Sequence, residues 1–467
     1  MAKEKPNVIF VLTDDQGIWA SGCYGNPEIR TPNMDRLAAE GMLFKNFFVA
    51  TPVCSPSRAT FLTGRIPSQH GVHDWIREGN VGPDAAEYIK GEVCYTDVLV
   101  QHGWRCGISG KWHLGASQIP QHGFCHWYVH QKGGGPYNNA PMVRDGQLLN
   151  EPGYVTDAIT DDALEFLEAH AGQEAPFYLS VHYTAPHSPW TGHPQDIVDS
   201  YDPCPFESCP QEPRHPWAAG PTDRCLGNRE LLKGYFAAVT AMDANLGRIL
   251  NKLDELGIRD DTLVIFTSDN GYSCGHHGFW GKGNGTNPRN MYENSIKVPF
   301  IISHPGHIPQ GHIQEAMVSA YDFMPTFLAY LDLPCPDDRN IVGASFLRAL
   351  RGKEDAGRES VVIYDEYGTV RMVRTRDWKY VRRYPDGPNE LWDLVNDPDE
   401  RQNLIDLPAQ VSRIREMQVM LDEWFARYVD PDVDGLKQDV TALGQLRPVL
   451  PGWDDGSPAY FHRESDE

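Results

Sequence analysis

The sequence predicts an α/β protein: a large, mostly parallel but mixed sheet sandwiched by helices, followed by a smaller C-terminal antiparallel sheet with one helix. Three observations predict it. Short apolar runs rich in β-forming residues recur without alternation, as strands buried on both faces require. Amphipathic helical stripes fall between those runs. Beyond residue 356 the pattern turns to short strands joined by turns. The expected division is an α/β domain over 1–355 and a smaller α+β unit with a tail over 356–467.

The first strand is Val8-Ile9-Phe10-Val11-Leu12, which leads into Thr13-Asp14-Asp15. Thr31-Pro32 reads as an N-cap with proline in the first turn, and Gly41 as the stop of that helix. The weaker run Cys106-Gly107-Ile108 leads to Lys111-Trp112-His113, and Phe177 to Val181 leads through His182 to Pro186-His187. From Leu231 to Leu256 the apolar positions follow a helical stripe closed by Gly257. That helix feeds the strand Leu263-Val264-Ile265-Phe266, which ends in Thr267-Ser268-Asp269-Asn270. Residues 187–230, rich in Pro and Cys, read as an excursion around a site entrance. In the C-terminal unit, strands are expected at 361–364, 370–373 and 378–381, and a helix over 409–428; the acidic tail after 429 receives no assignment. Ligand groups collect outside the carboxyl ends of strands in such sheets, so the four polar endings point to one shared site.

Composition narrows the function. With 40% hydrophobic and 11% aromatic residues in 467, the chain can bury sizeable cores. The 41 basic against 64 acidic residues, a formal charge of -23, exclude a broad nucleic-acid surface. The same charge repels long polyanions and favours small substrates or chain ends. The run at 8–12 is too brief for a signal-peptide core or a membrane span, so the expectation is a cytoplasmic protein without membrane contact. The ten cysteines are scattered without a CxxC pair, and Cys204 with Cys209 completes no zinc set. His122, His126 and His130 recur every four residues, but Gly123 and the aromatics between them argue against a regular helical metal face.

The segment Cys54-Ser55-Pro56-Ser57-Arg58, running on to Thr63-Gly64-Arg65, is the most informative in the chain. Ser55-Pro56 reads as a helix start and Gly64 as its stop. Cys54 then sits at the positive end of a helix, where backbone N–H groups favour an anion, and Arg58 one turn on can reach the same place. Asp14, Asp15, Asp269 and Asn270 offer three carboxylates and an amide, an oxygen shell suited to Ca²⁺ or Mg²⁺.

Cys-x-Pro-Ser-Arg followed by Thr-Gly-Arg resembles the signature of type I sulfatases of the alkaline phosphatase superfamily, in which this cysteine is oxidised to formylglycine. The resemblance spans nearly the whole chain, with its best motifs between residues 7 and 300. It implies an alkaline-phosphatase-like fold and an arylsulfatase-like sulfuric ester hydrolase. By the same resemblance Asp14, Asp15, Asp269 and Asn270, joined by the modified Cys54, hold one divalent cation: Ca²⁺, with Mg²⁺ or Mn²⁺ as alternatives. Lys111 and His113, in Gly-Lys-Trp-His-Leu-Gly, match the residues that contact the sulfate and the formylglycine hydrate. His187, in Pro-His-Ser-Pro, and Lys282, in Gly-Lys-Gly, match the remaining sulfate-binding and leaving-group residues; His182 competes with His187, and 285–290 reads as a local insertion.

The implied mechanism has a diol hydroxyl at position 54, ionised by the cation and Arg58, attacking sulfur while Lys111 and Lys282 hold the sulfuryl oxygens. His187 or Lys282 protonates the departing alcohol, and His113 helps the second hydroxyl expel sulfate. The implied partners are a small or chain-terminal sulfated substrate and a formylglycine-generating maturation enzyme. The rival readings are a phosphate or phosphonate ester hydrolase of the same superfamily and a non-catalytic binder of sulfated ligands. Residues 73–80, 130–145, 190–230 and 276–292, rich in aromatics, His and Gly, are expected to form the pocket rim, suited to an aryl, sugar or alkyl sulfate. His276-His277 is expected to line that pocket without ligating, and the Asn284-Gly285-Thr286 sequon to stay bare.

Overall fold

The structure, a computed structural model, describes residues 5–336, 340–353, 357–365, 368–450, 453 and 456–463. In chain order its first strands are β1 (Asn7–Thr13), β2 (Met42–Phe48), β3 (Arg105–Gly110), β4 (Phe124–His130), β5 (Asn138–Arg144) and β6 (Gln147–Tyr154). Then come β7 (Phe177–His182), β8 (Thr262–Ser268), β9 (Ser273–Cys274), β10 (Trp280–Gly281), β11 (Phe300–Ser303) and β12 (His312–Ser319). The C-terminal strands are β13 (Ser360–Asp365), β14 (Val370–Thr375), β15 (Trp378–Arg383) and β16 (Glu390–Asp393).

Ten strands form one mixed sheet in the order β12-β2-β11-β8-β1-β7-β3-β4-β5-β6. At its centre β8, β1, β7 and β3 are parallel neighbours. The unbroken apolar runs have a direct cause. Val8, Phe10 and Leu12 of β1 face one core, while Ile9 and Val11 face a second core on the opposite side. In β8, Leu263 and Ile265 divide from Val264 and Phe266 in the same way. A strand buried on both faces has no side left for polar residues.

The second core is covered by the helices Val155–His170 and Arg229–Glu255, the latter opened by Asn228, whose side chain accepts from the Leu231 N–H at 3.4 Å. The first core is covered by Cys54–Thr63, Tyr95–Gln101 and Phe323–Tyr330. No helix among the described residues is long and apolar enough to cross a membrane. The expected boundary between 355 and 356 lies outside the described residues.

The smaller sheet, β13-β14-β15-β16, is antiparallel and carries one strand more than the sequence pattern suggested. β16 is only four residues long, too short for its alternation to register. One face of this sheet, with Ile363, Met372 and Val381, joins the first core; the other, with Val362, Val373 and Tyr380, packs on Met417, Leu421 and Phe425 of the helix Val411–Tyr428.

The tail returns to the large sheet's side of the molecule. Asp430 N–H donates to Ser68 O at 2.9 Å, and His73 lies 2.8 Å from both Val433 O and Tyr460 Oη. Gln445, fully buried, exchanges backbone hydrogen bonds with Trp75 and Arg77. Asp74 completes the contact, accepting from Trp75 N–H at 2.7 Å and Gly444 N–H at 3.0 Å.

Burial pushes the Asp74 carboxyl up to about 7, with the Gly444 and Trp75 N–H groups opposing the rise. The folded chain therefore holds this proton more tightly than the unfolded chain does, where the value is 3.8. The associated stability is complete below the unfolded value and is lost as pH rises through the folded one. Asp74→Asn removes this titration, so its thermal midpoint is expected to gain on wild type steadily between about pH 4 and pH 7. Parallel pH profiles of the two melting curves would contradict this.

Candidate active site

The central four strands deliver their C-terminal residues to one place. β1 and β8 pair in register from Asn7↔Thr262 to Thr13↔Ser268, so Asp14-Asp15 and Asp269-Asn270 emerge side by side. Asp269 N–H donates to Thr13 O at 3.0 Å and Asp15 N–H to Asp269 Oδ1 at 3.4 Å. Across β7 and β3, Lys111 N–H donates to His182 O at 2.8 Å. Gly110 makes that approach possible: its φ is +115° and a Cβ there would lie 1.9 Å from His182 O. Asp15 (φ 65°) and His113 (φ 58°) occupy the left-handed region without being glycine. Such strain is of order 1–3 kcal/mol per residue and is sustained where the surrounding structure fixes the position.

The helix Cys54–Thr63 is buried along its whole length and ends at Gly64 in the left-handed conformation. Cys54 is its first residue, and Val53 before it offers no side-chain cap. The positive end of this helix is thus available to an anionic group at position 54.

Around Cys54 the charges interlock. Lys282 Nζ donates to Asp15 Oδ1 at 2.6 Å, to Asn270 Oδ1 at 3.1 Å and to Cys54 Sγ at 2.7 Å. Lys111 Nζ pairs with Asp14 Oδ2, and Cys54 Sγ lies 3.3 Å from Asp14 Oδ1. Arg58 is engaged from two sides. Its Nε donates to Asp269 Oδ2 at 2.9 Å, its Nη2 lies 2.8 Å from the same oxygen, and its Nη1 donates to Lys111 O at 2.8 Å. The guanidinium therefore supports Asp269 and the Lys111 backbone rather than reaching the cavity.

Charge and burial set the protonation states. Burial alone would raise Asp14, but Lys111 and then His187, Lys282 and Arg58 reverse this and hold it well below the usual carboxylate range. Burial and the adjacent Asp14 push Asp269 up to about 6 against the pull of Arg58. Burial, then Asp14, raise the Cys54 thiol to about 12. Burial and Lys111 keep His113 far below its ordinary value, hence neutral. Its Nε2 faces Ile76 O at 3.0 Å and so carries the proton, leaving Nδ1 as an acceptor with no hydrogen-bond partner among the described residues.

Ligand atoms of Asp14, Asp15, Cys54 and Asp269 all lie within 4.8 Å of one another. With the Asn270 amide beside them, this donor set fits a hard divalent cation. Above it opens a cavity of about 360 Å³, lined by Cys54, Lys111, His113, His187 and Lys282 and rimmed by Trp75, Arg77, Lys132 and Asn284. His187 Nδ1 lies 2.7 Å from Ser188 O, and its Nε2 is 3.9 Å from Asp15 Oδ2. His182 is buried with Nδ1 3.1 Å from Lys111 O, so His187, not His182, reaches the cavity.

The remaining histidines divide. His126 pairs with Asp162 at 2.8 Å and His130 with Thr184 at 2.6 Å, both from strand β4. His122 meets Asp97 and Cys94 in a second cluster of metal-ligating types, but Asp97 already accepts the Cys94 N–H as the cap of the helix Tyr95–Gln101. His276 and His277 sit against the 187–230 excursion, with His276 Nε2 2.9 Å from Ser208 O. Sequence reasoning placed 130–145 at the rim but gave Gly133 no role. A Cβ on Gly133 would lie 2.1–2.6 Å from three atoms of the His113 ring, so this glycine lets the loop pack over that imidazole.

Fold and site together define a hydrolase of the alkaline phosphatase superfamily, built around an acidic donor set and an anion-receiving pocket. Residues 6–333 match the family model described as Sulfatase, and residues 275–426 match the one described as N-sulphoglucosamine sulphohydrolase, C-terminal. The chain belongs to the sulfatase family and hydrolyses organic sulfate esters. It is 29% identical to an N-acetylglucosamine-6-O-sulfatase of Bacteroides thetaiotaomicron, over 95% of this chain and 90% of the relative. It is 32% identical to the N-acetylgalactosamine-6-sulfatase of Canis lupus familiaris, over 88% and 76%. A solved structure in complex with its substrate D-glucosamine-2-N,6-O-disulfate superimposes with TM-score 0.78 at 28% identity, covering 93% of this chain and all of that one. A phosphonate monoester hydrolase of Agrobacterium radiobacter shares the fold at TM-score 0.68 and 21% identity, over 91% and 96%.

Gly133→Ala is expected to displace His113 and to lower kcat on an aryl sulfate by about 10²-fold. Steady-state kinetics alongside a melting curve check this; an unchanged kcat would show that the glycine does not hold the imidazole.

Proposed function

We propose that Cys54 is converted to formylglycine and supplies the oxygen nucleophile, and that one divalent cation, Ca²⁺ ahead of Mg²⁺ or Mn²⁺, is held by Asp14, Asp15, Asp269 and Asn270. The substrate we propose is a sulfated sugar, small or at a chain end, as the names of several relatives suggest. One observation carries the reading. Cys54 Sγ opens a buried helix within 4.8 Å of ligand atoms of three carboxylates, with Lys282 Nζ 2.7 Å away. Conversion calls for a formylglycine-generating maturation enzyme as a partner.

When present, the cation would offset negative charge on the sulfuryl group, and the hydrated aldehyde would offer two hydroxyls in place of one thiol. The chain's own residues do the rest. Lys111 and Lys282 line the cavity and bind the sulfuryl oxygens as donors. Lys282 Nζ, already against position 54, also stabilises negative charge on an oxygen there. His187 Nδ1–H donates to Ser188 O, so in the imidazolium form the ring keeps that bond while Nε2–H delivers a proton to the departing alcohol. Neutral His113 offers Nδ1 as the acceptor for a proton from position 54. Arg58 orients Asp269 and the Lys111 backbone and is a positioning residue.

Mass spectrometry of the peptide containing Cys54, from protein produced with a maturation enzyme, is expected to show a loss of about 18 Da and reaction with an aldehyde-selective label. An unmodified thiol in protein that still releases sulfate would overturn the nucleophile assignment. Chelation should abolish sulfate release, with Ca²⁺ restoring it best on titration of the stripped enzyme. Full activity after exhaustive chelation would remove the cation from the reading.

A further inference from the structure

Lys111 and Lys282, the cavity's sulfate-facing cations, are matched by Asp14 and Asp15 beneath them. Two more cations line the same cavity, Arg77 and Lys132, and among the described residues no carboxylate does. Neither Arg77 nor Lys132 has an acidic partner among the described residues. In a chain of formal charge -23, two unneutralised cations at one cavity mouth call for an explanation.

Arg77 is held in place with part of its hydrogen-bonding capacity unspent. Its backbone N–H donates to Gln445 O at 2.9 Å, and its Nη1 donates to Leu443 O at 3.1 Å. The guanidinium lies 3.8 Å from the centre of the Phe461 ring and 5.8 Å from that of Trp75. The C-terminal tail thus fixes the side chain through a carbonyl and an aromatic face, neither of which cancels its charge. Nε and Nη2 have no protein partner among the described residues. That pair forms one edge of the guanidinium fork, whose two parallel donors match the two oxygens of a carboxylate or sulfate. Because the tail orders this side chain in advance, little rotamer freedom remains to be lost on binding. Lys132, exposed at the start of the Gly133-Gly134-Gly135 loop, adds a movable charge from a different element.

We propose that Arg77 and Lys132 form a second anion-binding subsite, and that the preferred substrate is a sulfate ester carrying another anionic group, a carboxylate or a second sulfate. This rests on the sulfatase site described above and narrows its substrate class. A singly sulfated, otherwise neutral sugar leaves the guanidinium edge facing water. A doubly anionic one exchanges that hydration for a charge-assisted, bidentate pair.

The test is steady-state kinetics on three matched substrates: a monosulfated hexose, the same hexose with a second sulfate, and the corresponding sulfated uronic acid. Wild type is expected to favour at least one doubly anionic substrate by about 10-fold or more in kcat/KM, expressed in KM. The favoured arm identifies the second anion. Arg77→Ala and, separately, the exposed Lys132→Ala should each shrink that preference, and Arg77→Lys should restore it only in part. Equal kcat/KM on all three substrates in wild type would overturn the subsite. So would an Arg77→Ala loss that is uniform across the three, since a clamp that merely docks the tail acts on every substrate alike. Failure to release sulfate from any of the three, with conversion of Cys54 and turnover of an aryl sulfate verified, would instead bring down the sugar-sulfate reading and the subsite with it.

Discussion

Asp14, Asp15 and Asp269 are 0%, 4% and 0% exposed, and they meet at the ends of two adjacent strands. Taking a carboxylate out of water costs several kcal/mol even after relaxation, and neighbouring like charges add to it. Such an arrangement persists only when cations are brought to the same point. The fold supplies three, each from a different element: Arg58 from the buried helix, Lys111 from the end of β3, and Lys282 from the turn after β10. Much else in the molecule follows from that requirement. The parallel order β8-β1-β7-β3 sets the carboxylates beside Lys111, and Gly110 lets β3 pass close enough to β7 to do so.

The site is layered as a consequence. Below lie Arg58 and the acidic groups, closed to solvent and tied to one another. Above lie Lys111, Lys282, His113 and His187, each with at least one atom on the cavity wall. Cys54 stands at the junction, on a helix terminus that stabilises negative charge. The lower layer is locked by its own ion pairs, and the upper layer presents cations and imidazoles to the cavity. Each of the two histidines has one ring nitrogen engaged by a backbone carbonyl and the other left without one.

The C-terminal part contributes at two levels. Its four-stranded sheet is wedged between the first core and the helix Val411–Tyr428, so it cannot be removed without exposing apolar surface on both sides. A buried set of ions, with Lys379 2.8 Å from Glu293 and 2.6 Å from Glu400, joins that sheet to the segment that follows Lys282. The tail beyond it runs back along residues 68–77 and so bears directly on the cavity mouth through Trp75 and Arg77.

Much of this was legible in the residues alone. The uninterrupted runs at 8–12 and 263–266 named buried strands, because a strand between two cores has no room for polar alternation. Thr31-Pro32, Ser55-Pro56, Gly64 and Gly257 marked helix ends through backbone preferences that act within a few residues. The twelve residues from Cys54 to Arg65, with Asp14-Asp15 and Asp269-Asn270, named groups that the structure brings together. Tertiary structure decided which group meets which. Lys111 pairs with Asp14 across 97 residues, Arg58 with Asp269 across 211, and Lys282 with Asp15 across 267. The pairing of Arg58 with Asp269, the packing of Gly133 over His113, the short strand β16 and the return of the tail to Arg77 belong to the same class. Local periodicity and capping are short-range and leave a trace in sequence. The neutralisation of one buried charge by another depends on separations in space that chain order does not encode.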